Sequence, residues 1–249
     1  DHANMGFVVG KEAVAVIDTG GSNRVGTRLR EAVRSKTDLP IRFVINTHMH
    51  PDHVLGNGAF EADETTFVAH HKMARGLSAR ADRYLAVYKE EMGAEAFAGT
   101  RVVLPTQGIE DVTTLDLGGR TLLLTPRPTA HTDNDLTVRD EETGTVFLGD
   151  LLFAQHVPTI DGSIRGWLSV LDTLSEEPAD RVVPGHGPAA MPWPEAAQPL
   201  RRYLNVIGDG VREMIADNRT LSDAVGTVGN SEKDAWELFQ DYNGRNVSA

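Results

Sequence analysis

The sequence predicts a mixed α/β chain, α+β in character, built from two related halves, and three observations lead there. One order of elements (hairpin, aspartate, helix, strand, histidine) occurs twice along the chain. At 249 residues the chain can bury roughly three quarters of the surface it exposes when unfolded, so its core needs no staples. It also has none, because it contains no cysteine. A disulfide framework, a thiolate zinc site, an iron-sulfur cluster and a cysteine nucleophile are therefore excluded, and any metal must bind through nitrogen and oxygen.

The elements follow in order. Gly6 to Asp18 reads as two β-rich runs around the turn at Gly10-Lys11-Glu12, a hairpin whose second strand ends at Asp18. Ser22 or Asn23 can cap the helix that follows, in which Val25, Leu29 and Val33 recur at helical spacing. Ile41 to Asn46 reads as a buried strand running straight into His48 and His50. In the second half, Asp135–Arg139 and Thr145–Leu148 form a hairpin around Glu141 to Gly144 that ends at Asp150. A helix with Trp167, Val170, Leu171 and Leu174 on one face comes next, and a strand at Arg181 to Val183 delivers His186. Both histidine-bearing strand ends then fall at one edge, where two halves can build a site between them.

Between the halves, Met73, Leu77, Tyr84, Tyr88 and Met92 lie at three-, four- and seven-residue spacings and predict an amphipathic helix or helix pair whose stripe packs on a core. After Pro194 the chain is again helical, with Leu200, Leu204, Ile207, Val211 and Ile215 on one face. Thr220 to Asp223 resembles a fresh helix start of the capping-box kind. No linker separates these parts. The chain reads as one domain, residues 1–193, with residues 194–249 as its helical annex.

Composition narrows the function. With 36 acidic against 24 basic side chains, the formal net charge is -12, which opposes a polyphosphate partner and argues against a nuclease. No apolar run approaches the roughly 18 residues of a spanning helix. The chain begins at Asp1 without a signal-peptide pattern and reads as a processed or trimmed product. A small-molecule substrate is expected, and nothing in the sequence sets an oligomeric state.

The chemistry concentrates in His48-Met49-His50-Pro51-Asp52-His53. On a loop leaving a strand, residues 48 and 50 point to one side and can reach one ion. Asp52 and His53, beyond Pro51, can turn toward a second. So many imidazoles crowded together without a metal would be unfavourable.

This run, followed in order by His131, Asp150 and His186, resembles the signature of the metallo-β-lactamase superfamily of metallohydrolases. The resemblance spans about Gly6 to Gly187 and includes Val16-Ile17-Asp18-Thr19-Gly20, Asn46-Thr47-His48, Ala130-His131-Thr132, Leu148-Gly149-Asp150 and Pro184-Gly185-His186-Gly187. It implies a four-layer αββα sandwich with metals at one sheet edge. It further implies one metal on His48, His50 and His131, a second on Asp52, His53 and His186, and Asp150 bridging the two. That bridging carboxylate makes the set look like glyoxalase II, whereas the cysteine-free true metallo-β-lactamases lack it. Two Zn2+ are the expected cofactors, with Fe or Mn also suited to nitrogen and oxygen donors.

The implied chemistry is hydrolysis by a metal-bridging hydroxide attacking a carbonyl, of a thioester or lactone first, with Asp52 orienting the nucleophile and shuttling its proton. Asp18 is a candidate to hydrogen-bond a ligand imidazole. The loop Ala154 to Gly162, with Gly166 to Leu171, also looks like the zinc metallohydrolases of a quinoprotein relay system. That implies an exported, periplasmic protein, with the cytoplasm as the other location. Two further readings follow: β-lactam hydrolysis, and a non-hydrolytic metal-binding accessory of a periplasmic quinoprotein electron-transfer system. His2, His70, His71 and His156 stand outside the ligand set, and His156 sits in a loop placed to meet substrate.

Overall fold

The computed structural model describes residues 3–249, excepting the side chains of residues 62 and 63, so His2 lies outside the described residues. Two five-stranded sheets face each other. In the first, β1 (Gly6–Val9), β2 (Val14–Ile17), β3 (Ile41–Ile45), β4 (Thr66–His70) and β5 (Gln107–Ile109) lie in sequence order. In the second, β10 (Arg181–His186), β9 (Thr145–Phe153), β8 (Leu136–Asp140), β7 (Thr121–Pro126) and β6 (Thr113–Asp116) lie in the reverse order.

The predicted repeat is visible in this topology. The antiparallel hairpin β1–β2 leads through α1 (Asn23–Arg34) to β3, parallel to β2. The antiparallel pair β8–β9 leads through α4 (Ile164–Glu176) to β10, parallel to β9. The halves differ in how their sheets are extended. The first adds β4 and β5 beyond β3, both parallel, and the second adds β7 and β6 beyond β8, both antiparallel.

Period-two alternation builds the layers. Ala15, Ile17, Phe43 and Ile45 point into the space between the sheets, where they meet Leu122, Leu124, Leu136, Val138 and Phe147. Their neighbours Val14, Val16, Ile41 and Val44 face the opposite way and pack on Leu29 and Val33 of α1. On the far side, Val146 and Leu148 of β9 pack on Trp167, Val170, Leu171 and Leu174 of α4. Burying each such side chain contributes roughly 1.5–3 kcal/mol. Both helices start where a serine caps them: Ser22 accepts from the backbone N–H of Val25, and Ser163 from that of Gly166.

The remaining helices are α2 (Pro51–Val54), α3 (Met73–Met92), α5 (Ala197–Ala216), α6 (Leu221–Thr227) and α7 (Phe239–Ser248). The segment predicted as a helix or helix pair is the single helix α3. The capping box expected at Thr220 and Asp223 is present at the start of α6. Leu200, Tyr203, Leu204, Ile207, Phe239 and Val247 of the C-terminal helices join the same buried cluster as Trp167. Among the described residues no helix is long and apolar enough to cross a membrane.

Two glycines decide how the strand ends meet. Gly149 has φ +53°, and a Cβ there would lie 2.6 Å from Thr47 Cβ, the residue that leads into His48. A side chain at Gly185 would strike Asp150 Oδ1. Replacing Gly149 therefore forces apart the junction of the two halves. Gly149→Ala is expected to lower stability by about 1–3 kcal/mol, read as a shift of the urea midpoint at constant slope; an unchanged midpoint would show that the contact is not tight.

Candidate metal centre

Both sheets end at the same edge. His48 and His50 lie on the loop leaving β3, and Pro51 then starts α2, which turns Asp52 and His53 in another direction. His131 sits on the β7–β8 connection, Asp150 within β9 and His186 at the end of β10. Register shifts at Val183/Pro184 and Pro184/His186 re-aim the last strand. A buried polar net braces the motif loop: Thr19 Oγ1 donates to Asn57 Oδ1 (2.7 Å) and Asn57 Nδ2 donates to Asn46 Oδ1 (2.8 Å).

All seven residues singled out in the sequence come together. The possible ligand atoms of His48, His50, His131 and Asp150 lie within 4.8 Å of one another, as do those of Asp52, His53 and His186. Asp150 faces both groups. Its Oδ2 is 3.6 Å from His48 Nε2 and 3.3 Å from His131 Nε2, while its Oδ1 is 3.1 Å from His53 Nε2 and 3.4 Å from His186 Nε2. Asp52 Oδ2 lies 3.2 Å from His186 Nε2.

Hydrogen bonds behind the rings decide which nitrogen faces inward. Thr47 Oγ1 donates to Asp18 Oδ2 (2.7 Å), so its oxygen accepts from His48 Nδ1 (3.1 Å). Asp18 Oδ2 also accepts from His53 Nδ1 (2.8 Å), which gives Asp18 the role expected of it. Asp18 adopts φ +57°, strained for a residue with a side chain, and is held there by Thr47 and the backbone. With Nδ1 protonated, His48 and His53 each present an Nε2 lone pair inward. Those two atoms and Asp150 Oδ1 are buried without a hydrogen-bond partner. Lone pairs converging in a dry site repel one another unless a cation lies between them, and this donor set fits a divalent metal.

Protons compete for those lone pairs. Burial pushes His48 well down, assisted by the neighbouring His53, and burial takes His131 down to about 3. For His186 burial also opposes the charge, but the carboxylates of Asp150 and Asp52 outweigh it and raise the ring to about 9. His53 is raised in the same way against its burial. Burial would raise Asp150 too, yet His186 and His53 hold it well below the usual carboxylate range.

A cavity of about 430 Å³ opens over this cluster, with His50, Asp52, Asp150 and His186 in its lining. Helix α3 supplies one wall through Arg80, Arg83, Tyr84, Val87, Tyr88 and Glu91, and α7 another through Tyr242 and Arg245. The stripe packs on a core as expected: Met73 and Leu77 are buried, and the half-buried Tyr84, Tyr88 and Met92 pack against the same cluster, while Tyr84 and Tyr88 also line the cavity. The spacing marks only the core face, since a helix that also borders a cavity keeps the same period. His156 also lines the cavity, 4.6 Å from the His186 ring. His70 and His71 stack on each other at 4.5 Å and take no part in the cluster. Asp161, which accepts from His50 Nε2 (3.0 Å), is a lone loop carboxylate that no sequence pattern marks.

A family model of the metallo-β-lactamase superfamily matches residues 1–186. The linear primary-alkylsulfatase of Pseudomonas sp. (strain ATCC 19151) is 36% identical over 53 residues, 21% of this chain and 10% of that protein. Among solved structures, a metallo-β-lactamase from Pontibacter korlensis is similar with TM-score 0.64 and 20% identity, over 80% of this chain and 85% of its own. The sec-alkylsulfatase Pisa1 from Pseudomonas sp. gives TM-score 0.71 and 14% identity over 91% of this chain and 42% of its own. The match thus spans a tenth of the curated relative and less than half of Pisa1; these structural likenesses concern the fold.

The raised imidazoles set a pH dependence. In the metal-free protein, the His186 proton adds stability that is fully present below its ordinary 6.5 and is lost as pH rises through about 9. A metal bound at His186 would displace that proton, so divalent-metal affinity is expected to climb as pH rises from about 6.5 to about 9, with proton release near neutral pH. Calorimetric titrations in buffers of different ionisation enthalpy measure the release; uptake without it would contradict the charge balance.

Proposed function

The chain belongs to the metallo-β-lactamase superfamily, and we propose that it is a dinuclear metal-dependent hydrolase acting on a carbonyl ester, a thioester or lactone first. The observation that carries this reading is the Asp150 carboxylate, one oxygen toward His48 and His131 and the other toward His53 and His186. Zinc is the metal the nitrogen-and-oxygen donor set suits first, with iron and manganese compatible. Two such ions would supply a water acidified to near-neutral pH and a Lewis acid for the scissile carbonyl.

The protein's own groups do the rest. His48, His50 and His131 form one ligand set and Asp52, His53 and His186 the other. Asp52 lies at the cavity floor with its carboxylate partly exposed. There it can accept the proton of the attacking water and return it to the leaving group. Its own burial opposes ionisation, but His53 and His186 hold it below the usual carboxylate range, so it is ionised. The tyrosines of α3 and α7 give the substrate an aromatic wall and keep bulk water from one side of the site.

A second reading, sulfate-ester hydrolysis, is favoured by the alkylsulfatase relatives together with Arg83 and Arg245. Both guanidiniums are exposed in the cavity wall, and neither has an ion-pair partner among the described residues. One metal-loaded preparation assayed against a thioester, a lactone, a β-lactam and a primary alkyl sulfate separates the readings. Turnover of the thioester or lactone is expected, with loss of at least about 100-fold on chelation, on His50→Ala and on Asp52→Asn. Turnover of the alkyl sulfate alone, weakened by Arg83→Ala or Arg245→Ala, would install the second reading. A fully metallated protein that hydrolyses none of the four would instead fit the accessory role.

A further inference from the structure

His50 differs from the other four rings of the cluster. Its side chain is 14% exposed, while those of His48, His53, His131 and His186 are at most 9% exposed. Packing therefore holds four rings in place, and His50, at the cavity edge, needs something else. Its Nδ1 lies 2.9 Å from His131 Nε2, facing the cluster, and its Nε2 lies 3.0 Å from Asp161 Oδ2. An ionised carboxylate only accepts, so the Nε2 carries the proton and the Nδ1 lone pair is turned inward.

Asp161 is itself held from three sides. Arg80 of α3 donates to the same Oδ2, and its guanidinium also reaches Tyr84 OH at 3.4 Å. The Asp161 backbone N–H donates to His131 O (3.3 Å), and Ser163 N–H donates to Ala130 O (2.8 Å). Any side chain at Gly162 would strike that Ala130 carbonyl, so the loop lies flat on the His131 segment. From the C-terminal helix, Asn246 Nδ2 donates to Pro158 O (2.6 Å), and Asn246 Oδ1 accepts from Ile160 N–H (3.1 Å). One carboxylate thus joins a ligand ring to the helix that walls the cavity and to the loop that α7 secures.

We propose that Asp161, clamped by Arg80, is the positioning residue that sets the tautomer and aim of His50, and thereby the affinity of the first metal group. The role rests on His50 being a ligand, as the proposed function has it. Asp161 lines the cavity beside His50, and its carboxylate bonds His50 and Arg80 rather than Asp52, His53 or His186, so its loss is expected to act on the first metal group. Partners of this kind are worth roughly 10- to 100-fold in metal affinity.

Titration of the chain with cobalt(II), followed by its visible absorption, provides the test, alongside a long-range proton–nitrogen spectrum that reads the His50 tautomer. The native chain is expected to take up two ions, with the His50 proton on Nε2. Asp161→Ala is expected to weaken one ion by roughly 10- to 100-fold, leave the other unchanged and scramble the His50 tautomer. Asp161→Asn, which keeps an accepting oxygen, restores much of that affinity, and Arg80→Lys falls between the native chain and Arg80→Met. Two ions of native affinity and a native tautomer in Asp161→Ala would overturn the positioning role while leaving the metal centre intact. A native chain that binds no cobalt would overturn both. Equal weakening of both ions in Asp161→Asn would mark a general disturbance and likewise overturn it.

Discussion

A single buried carboxylate, Asp150, sets the terms for everything around it. A charge taken out of water costs several kcal/mol unless it is paired, and here four imidazole nitrogens stand 3.1–3.6 Å from its two oxygens. Those rings come from three segments of chain, one in the first half and two in the second, so satisfying one charge requires both sheets to end at the same edge. The backbone yields to that requirement. Gly185 has no side chain because Asp150 lies over it, Gly149 takes a left-handed conformation against Thr47, and β10 breaks register twice before delivering His186.

The rings crowded around that carboxylate would repel one another if their protons were free to choose sides. Thr47, Asp18 and Asp161 remove the choice by holding the outer nitrogens of His48, His53 and His50. Two of these anchors belong to the duplicated framework and are buried. The third belongs to a loop, and is reached by a helix inserted between the halves. Rigid and adjustable parts of the site therefore have different origins. The repeated hairpin–helix–strand units carry the inner chemistry, and the additions, α3 and the C-terminal helices, wall the cavity and brace the one ring that packing leaves loose.

The electrostatics fit this division. The net charge of -12 belongs to the whole chain, whereas at the centre carboxylates raise His53 and His186 and imidazoles depress Asp150. Metal ions and protons are alternatives there, since both neutralise the same convergence of lone pairs. At the rim, Arg83 and Arg245 provide positive charge beside a centre whose carboxylates face imidazoles.

Much of this was open to reading in the chain because it is local. Three histidines and an aspartate in six residues need no fold to be recognised, a serine before an apolar period marks a helix start, and strand alternation shows which face is inward. The twofold order of elements was likewise visible, and with it the edge at which His48 and His186 meet. Tertiary structure alone decided the rest. The two halves extend their sheets on opposite sides, because strand pairing beyond the repeat depends on which edge is free. Tyr84 and Tyr88 pack on the core as their spacing predicts and, in addition, line the cavity, which the spacing does not show. Asp161 meets His50 from 111 residues away. A single carboxylate in a loop has no period, partner or motif to announce it, and its role arises only when folding brings a proton on one ring within reach.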